Sequence, residues 1–169
     1  MKRLKPSDKK RVFHFSGKLN RVKFSQISRN LRKFFSLAAT VFVFDFATKF
    51  IAEKFLVFPI SIAPFFSLEI AKNPGVAFSI PLPFFWQIFF GVIFLTGLFF
   101  FARRPEISRA EKIGAGLIFG GGAANLAERI ARGAVTDFLN FSFWPNFNFA
   151  DSAICVGAFF LIFFAVRKN

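Results

Sequence analysis

The 169-residue sequence predicts an all-α membrane protein with four transmembrane helices, both termini cytoplasmic, and a small extracytoplasmic β cradle. Three observations carry that expectation. Hydrophobic residues form 54% of the chain and its mean hydropathy is +0.51, more apolar surface than a soluble domain of this size has interior to hide. Four apolar stretches each approach the ~20 residues that cross a hydrocarbon core. The basic residues gather on one side of those stretches.

The stretches run from Phe34 to Phe55, Phe84 to Ala102, Ile113 to Ile130 and Asp151 to Val166. The first follows a basic segment as a secretory signal would. It has no small-residue cleavage site and carries Asp45 and Lys49, so it reads as a retained span. Arg103, Arg104, Arg109 and Lys112 join the second and third spans, and Arg167 and Lys168 follow the fourth. In the loop after the first, Lys54 and Lys72 are offset by Glu53 and Glu69. The positive-inside rule then puts both termini in the cytoplasm. The outer segment from Leu56 to Pro83 is broken by Pro59, Pro64, Pro74, Pro81 and Pro83, while Ser67-Leu68-Glu69-Ile70 alternates as a strand does. Lys72-Asn73-Pro74-Gly75 reads as a turn, with another short strand expected from Ala77 to Ile80.

Charge divides the chain into a basic N-terminal cytoplasmic tail, residues 1–33, and a membrane domain, residues 34–169. The tail holds 12 of the 23 Lys and Arg, with Asp8 its only acid. Leu19, Val22, Ile27, Leu31 and Phe34 recur in it at helical spacing. A basic amphipathic helix attached to an apolar body suits anionic lipid headgroups, so membrane lipids rather than nucleic acid are its expected partner. Cys155 is the only cysteine and His14 the only histidine. No intramolecular disulfide or four-ligand zinc site can form, and neither a metal nor a cofactor is expected.

Ionisable groups inside a bilayer are costly and mark candidate sites. Asp45, Lys49 and Glu53 follow at four-residue steps, an acid–base–acid ladder that can neutralise itself and support the structure. Gly116, Gly120 and Ala124 make a small-residue face for helix packing. Asn125 and Arg129 share a face one turn on, beside Glu128. Asp137 and Asp151 follow and open the third and fourth spans respectively. Sixteen helical residues from 151 to 166 rise ~24 Å, which sets Asp151 near the outer hydrocarbon boundary at a depth like that of Asp137. Two carboxyls in one low-dielectric site share a proton. One can activate water against an amide carbonyl while the other donates to the developing oxyanion. The alternative for Asp151 is a cap on the fourth span.

These residues sit in Asp45-Phe-Ala-Thr-Lys49, Asn73-Pro-Gly-Val-Ala-Phe78, Gly120-Gly-Gly-Ala-Ala-Asn125-Leu-Ala-Glu-Arg129, Gly133-Ala-Val-Thr-Asp137-Phe138 and Phe147-Asn148-Phe-Ala-Asp151-Ser-Ala-Ile154. In that order they resemble the lipoprotein signal peptidases (signal peptidase II), over most of the chain from Phe34 to Lys168. The resemblance implies an aspartic-type endopeptidase of the bacterial inner membrane with its active site toward the outer leaflet. It implies removal of the signal peptide from a diacylglyceryl-prolipoprotein, with cleavage before the lipid-modified cysteine. The implied catalytic pair is Asp137 and Asp151. Substrate contacts fall on Asn73, Gly75, Asn125, Arg129 and Asn148, and structural support on Asp45 and Lys49. A monomer is expected. Glu128 stands where the family usually has Asp, Ala124 where Gly commonly precedes the asparagine, and the basic tail is longer than the family needs.

Without the resemblance, two other classes are open. A small proton-coupled transporter could use Asp45, Lys49, Asp137 and Asp151 as a relay, although the chain lacks two matching halves. A non-catalytic membrane anchor would use only the tail and the spans.

Overall fold

The computed structural model describes residues 6–75 and 82–167, with side chains described from residue 26 onward. The strand expected from Ala77 to Ile80, Lys168, and the side chains of the tail through residue 25 lie outside the described residues. The element order is α1 (Pro6–Phe55), β1 (Ile60–Ala63), β2 (Phe66–Asn73), α2 (Phe84–Ala102), α3 (Arg109–Arg132), β3 (Val135–Phe141), β4 (Trp144–Phe147) and α4 (Phe149–Val166).

Helix α1 runs unbroken from the basic tail into the first apolar stretch. Its buried residues are Asn30, Phe34, Ala38, Val41, Asp45, Lys49 and Ala52, spaced by three or four, so one stripe faces the protein. Val43, Phe44, Phe46, Phe50 and Ile51 point outward. A helix with its polar residues inward and its aromatics outward suits a surrounding of lipid, not water. Helix α2 is apolar on all sides and buries only Gln87, Leu98 and Ala102. Among the described residues, three helices are long and apolar enough to cross a membrane: Gln26–Phe55, Phe84–Ala102 and Phe149–Val166.

The third apolar stretch forms helix α3, which is not among those three. Glu111, Lys112, Glu128, Arg129 and Arg132 lower its apolar character, and the rest of it is rich in Gly and Ala. It is the central helix, with α1, α4 and α2 all packed on it. Its start is fixed by a capping box between Ser108 and Glu111, and its end by Gly133 at φ 76°, a left-handed conformation that glycine adopts without strain. Glycines on α3 set the close approach of both neighbours. A Cβ at Gly120 would lie 2.6 Å from the Ala38 carbonyl oxygen of α1, and one at Gly121 2.5 Å from that of Ala150 on α4. Gly120→Val is therefore expected to force α1 away from α3 and cost about 1–3 kcal/mol, the usual range for overpacking. Thermal unfolding of the purified variant in detergent checks this, since an unchanged midpoint would mean the two helices are not held at this distance.

The sheet is larger than the sequence predicts. Strands β1, β2, β3 and β4 pair in that order, all antiparallel. The first two come from the outer segment, where β2 covers the expected residues 67–70 and β1, at Ile60–Ala63, lies ahead of any strand read from the sequence. The other two come from the α3–α4 connection, where Val135-Thr136-Asp137-Phe138-Leu139 is rich in β-branched and aromatic residues. Pairing of Ala71 with Asp137 and of Asn73 with Val135 joins the two halves of the sheet beside the end of α3. This register brings Asn73 and Asp137 together.

Candidate active site

The site begins at the N-terminus of α4, whose first N–H groups need acceptors. Asn148 is the N-cap. Its side-chain oxygen accepts from the Asp151 N–H at 3.0 Å, and Asp151 Oδ2 accepts from the Asn148 N–H at 3.2 Å, which closes a capping box. Asp45, on α1, supplies a third acceptor: its Oδ1 receives the Ala150 N–H at 2.8 Å. Asp151 thus does cap α4, as the simpler reading of the sequence has it. It does so with one oxygen, and the other accepts from Asn125 Nδ2 at 2.8 Å.

Strand β3 carries Asp137 to the same place. Its side chain is buried and takes two amide donors, Asn148 Nδ2 at 2.7 Å on Oδ1 and Asn73 Nδ2 at 3.0 Å on Oδ2. Asn148 therefore touches both acids, Asp137 through its side chain and Asp151 through its backbone. Burial pushes the Asp137 carboxyl up to about 6. The Asn73 donor pulls it back, the nearby Asp151 charge adds to the rise, and the Asn148 donor again opposes it.

Behind the two acids lies a buried charge cluster. Lys49 Nζ sits 2.7 Å from Asp45 Oδ2, 3.0 Å from Glu128 Oε2 and 2.9 Å from Asn125 Oδ1. Glu128 reaches in the opposite direction too, accepting from the Thr136 backbone N–H at 3.1 Å and its hydroxyl at 2.5 Å. The longer Glu at this position thus spans from Lys49 to the residue preceding Asp137. At the rim, Glu53 accepts from Lys72 and from Arg132 at 2.7 Å, and it lies 3.0 Å from the Thr136 hydroxyl oxygen, whose single proton has Glu128 as its nearer acceptor. Helices α1 and α3 and strands β2 and β3 are tied together there.

The turn after β2 is held separately. The Gly75 N–H donates to Asn73 Oδ1 at 2.9 Å, so the expected turn closes on its own asparagine. Arg129 donates to the Gly75 carbonyl at 2.7 Å, and Gln87 donates to the Pro74 and Leu82 carbonyls at 2.8 and 2.6 Å. Among the described residues, the buried Arg129 Nε has no acceptor.

All nine residues singled out from sequence meet in this one region: Asp137, Asp151, Asn73, Gly75, Asn125, Arg129, Asn148, Asp45 and Lys49. Sequence reasoning missed Gln87, Thr136 and the outer link through Glu53, Lys72 and Arg132. Gln87 left a signal, as the one polar residue with an amide in an otherwise apolar α2. Thr136 left none, because a threonine in a strand is ordinary.

Apolar helices around buried acids, with two aspartates held by the side chain and the backbone of one asparagine where the helices meet the sheet, are the features of an aspartic-type membrane hydrolase. Comparison with known proteins gives the family. The family model described as Signal peptidase (SPase) II matches residues 37–167. The lipoprotein signal peptidase of Chlorobium luteolum is 40% identical over 155 residues, covering 81% of this chain and 93% of its own. That of Mycobacterium leprae is 35% identical over 150 residues, covering 82% and 73%. The chain belongs to the signal peptidase II family. A solved bacterial membrane enzyme shares the fold, with TM-score 0.73 at 23% identity over 80% of this chain and 88% of its own.

Proposed function

We propose that this bacterial membrane protein removes signal peptides from diacylglyceryl-modified prolipoproteins, cutting before the lipid-modified cysteine, with Asp137 and Asp151 as the catalytic pair. The observation that carries the reading is the sharing of Asn148 between the two acids, where α4 and β3 meet. With one proton on the pair, the ionised member activates water and the protonated member donates to the carbonyl oxygen as negative charge develops. Neither a metal nor a covalent intermediate enters this scheme. Arg129, Gly75 and Asn73 line the turn beside the pair, and Arg129 Nε offers a donor for the substrate backbone. All these groups come from one chain, so a monomer suffices.

Four crossings with both termini in the cytoplasm suit this chemistry. Helix α3 has 24 residues, a rise of about 36 Å. Its polar residues Asn125 and Glu128 are turned toward Lys49. At the opposite ends of the helices Arg103 lies over Phe99, Arg104 over Phe101 and Arg167 over Phe163, as basic side chains do at an interface. The site then faces the outer leaflet of the inner membrane, and the tail meets the anionic inner leaflet. Lipid chains on the substrate cysteine would hold the scissile bond at the depth of the two acids, replacing an entropic cost otherwise met at each encounter. A prolipoprotein with an unmodified cysteine should therefore be cut about 10²-fold more slowly. Equal rates for the two substrates would remove the lipid from the recognition.

The proton on the pair also fixes a pH profile. Loss of the last proton, at about 6 for Asp137, leaves two anions and no donor, so kcat/KM falls as pH rises through that value. Asn73 donates to Asp137 and so favours its ionised form. Asn73→Ala should shift this alkaline limb to higher pH. A limb that stays in place, or moves down, contradicts the assignment of that proton to Asp137.

A further inference from the structure

We propose that Lys49 is a positioning residue for the reaction: its ammonium fixes which way the Asn125 amide points, and so delivers an N–H rather than a carbonyl to Asp151. This rests on the reading of Asp137 and Asp151 as the catalytic pair.

The two ends of an asparagine amide are nearly equal in shape, so their partners decide the orientation. Asn125 Oδ1 receives Lys49 Nζ at 2.9 Å and Asn148 Nδ2 at 3.2 Å, and its Nδ2 donates to Asp151 Oδ1 at 2.8 Å. Turning the amide over would set its NH2 group against an ammonium and a second NH2, neither of which can accept. It would also aim a carbonyl oxygen at the Asp151 carboxylate. Lys49, Asn125 and Asn148 are all buried, so no group can turn to water to escape the conflict.

An ionised Asp151 alone would attract the Asn125 NH2 group. A protonated Asp151 offers both an acceptor and an O–H donor, so by itself it no longer dictates which end of the amide faces it. Lys49, ion-paired with two carboxylates, presents only N–H donors to Asn125, so the orientation it sets does not depend on Asp151. The N–H directed at Asp151 is then in place before the reaction needs it. Lys49 is itself immobilised. Its ammonium donates to Asn125 Oδ1 and is ion-paired, among the described residues, with Asp45 and Glu128. It reaches Asp151 through Asn125.

The test is a cycle of variants in single-turnover cleavage of a diacylglyceryl-prolipoprotein by the detergent-solubilised full chain. Asp45→Asn with Lys49→Met removes one anion along with the cation, so the local charge is unchanged and residue 45 keeps a carbonyl for the Ala150 N–H. This pair should lower kcat about 10²-fold with KM within about threefold, and Asn125→Ala should do about the same. The triple variant should be no slower than Asn125→Ala alone, because Lys49 acts through that amide. Multiplication of the two losses in the triple, or a wild-type kcat without Lys49, overturns the proposal. Should the Lys49 variants fail to fold by thermal unfolding, Asn125→Asp decides. It gives Lys49 a third carboxylate and should fold, but it presents an acceptor to Asp151 and should lose about 10²-fold in kcat. A wild-type rate there also overturns the proposal. Asp137→Asn in the same assay separates the two levels: if that variant cleaves normally, the catalytic pair itself is wrong. If it is inactive while the cycle multiplies, only the role of Lys49 fails.

Discussion

Asp137→Asn is expected to lower prolipoprotein cleavage about 10³-fold or more, equivalent to about 4 kcal/mol of transition-state stabilisation. The substitution keeps the shape of the side chain and removes its acid–base capacity. In the wild type both Asp137 oxygens accept N–H groups, from Asn148 and Asn73. An amide at this position can satisfy only one of those donors, and it has no acidic proton to give to an oxyanion. The fold should survive, because the pairing of Ala71 with residue 137 uses the backbone and the amide has the shape of the carboxyl. Rate and thermal midpoint measured on the same preparation distinguish the outcomes. Lost cleavage with a midpoint close to wild type supports the pair. Retained cleavage would make Asp137 a strand residue with no part in the chemistry.

Asp45→Ala should instead destabilise the protein, by about 3–5 kcal/mol, the range for removing one partner of a buried ion pair. Asp45 is only 1% exposed. Its two oxygens do separate work: one pairs with Lys49, and the other accepts the Ala150 N–H from α4 across 105 residues of sequence. Alanine leaves that N–H without its acceptor, Lys49 with one carboxylate fewer, and a void between α1 and α4. Asp45→Asn keeps the acceptor and should cost clearly less. Thermal or denaturant unfolding of both variants in one detergent gives the comparison. Equal midpoints for the two would show that the α1–α4 contact does not depend on this hydrogen bond.

Much of this arrangement was legible in the sequence because a membrane reverses the usual economy of polar groups. In an apolar chain each buried acid or amide stands out against its surroundings, and Asp45, Lys49, Asn125, Asp137 and Asp151 were found in that way. Helix ends were also readable where they carried their own chemistry. Gly133 ends α3, and α2 begins directly after Pro83. Strands β3 and β4 were not foreseen. The loop around Asp137 was read for its acid rather than for its β-branched residues, and a strand needs a partner that local sequence does not reveal. The third stretch stands out by its hydrophobicity, whereas α3 is not among the helices apolar enough to cross a membrane and is held by glycine-mediated packing against α1 and α4. Which residues share a hydrogen bond lay beyond sequence. Asn125 and Asn148 were expected as substrate contacts, yet their side chains donate to Asp151 and Asp137, an arrangement that depends on the meeting of three separate elements.

The most direct test is intact-mass analysis of both products after the purified wild-type chain acts on a diacylglyceryl-prolipoprotein in detergent. The account predicts two species, a free signal peptide and a mature protein whose first residue is the lipid-bearing cysteine. An uncut substrate with folded protein, or a new N-terminus at any other residue, would contradict it.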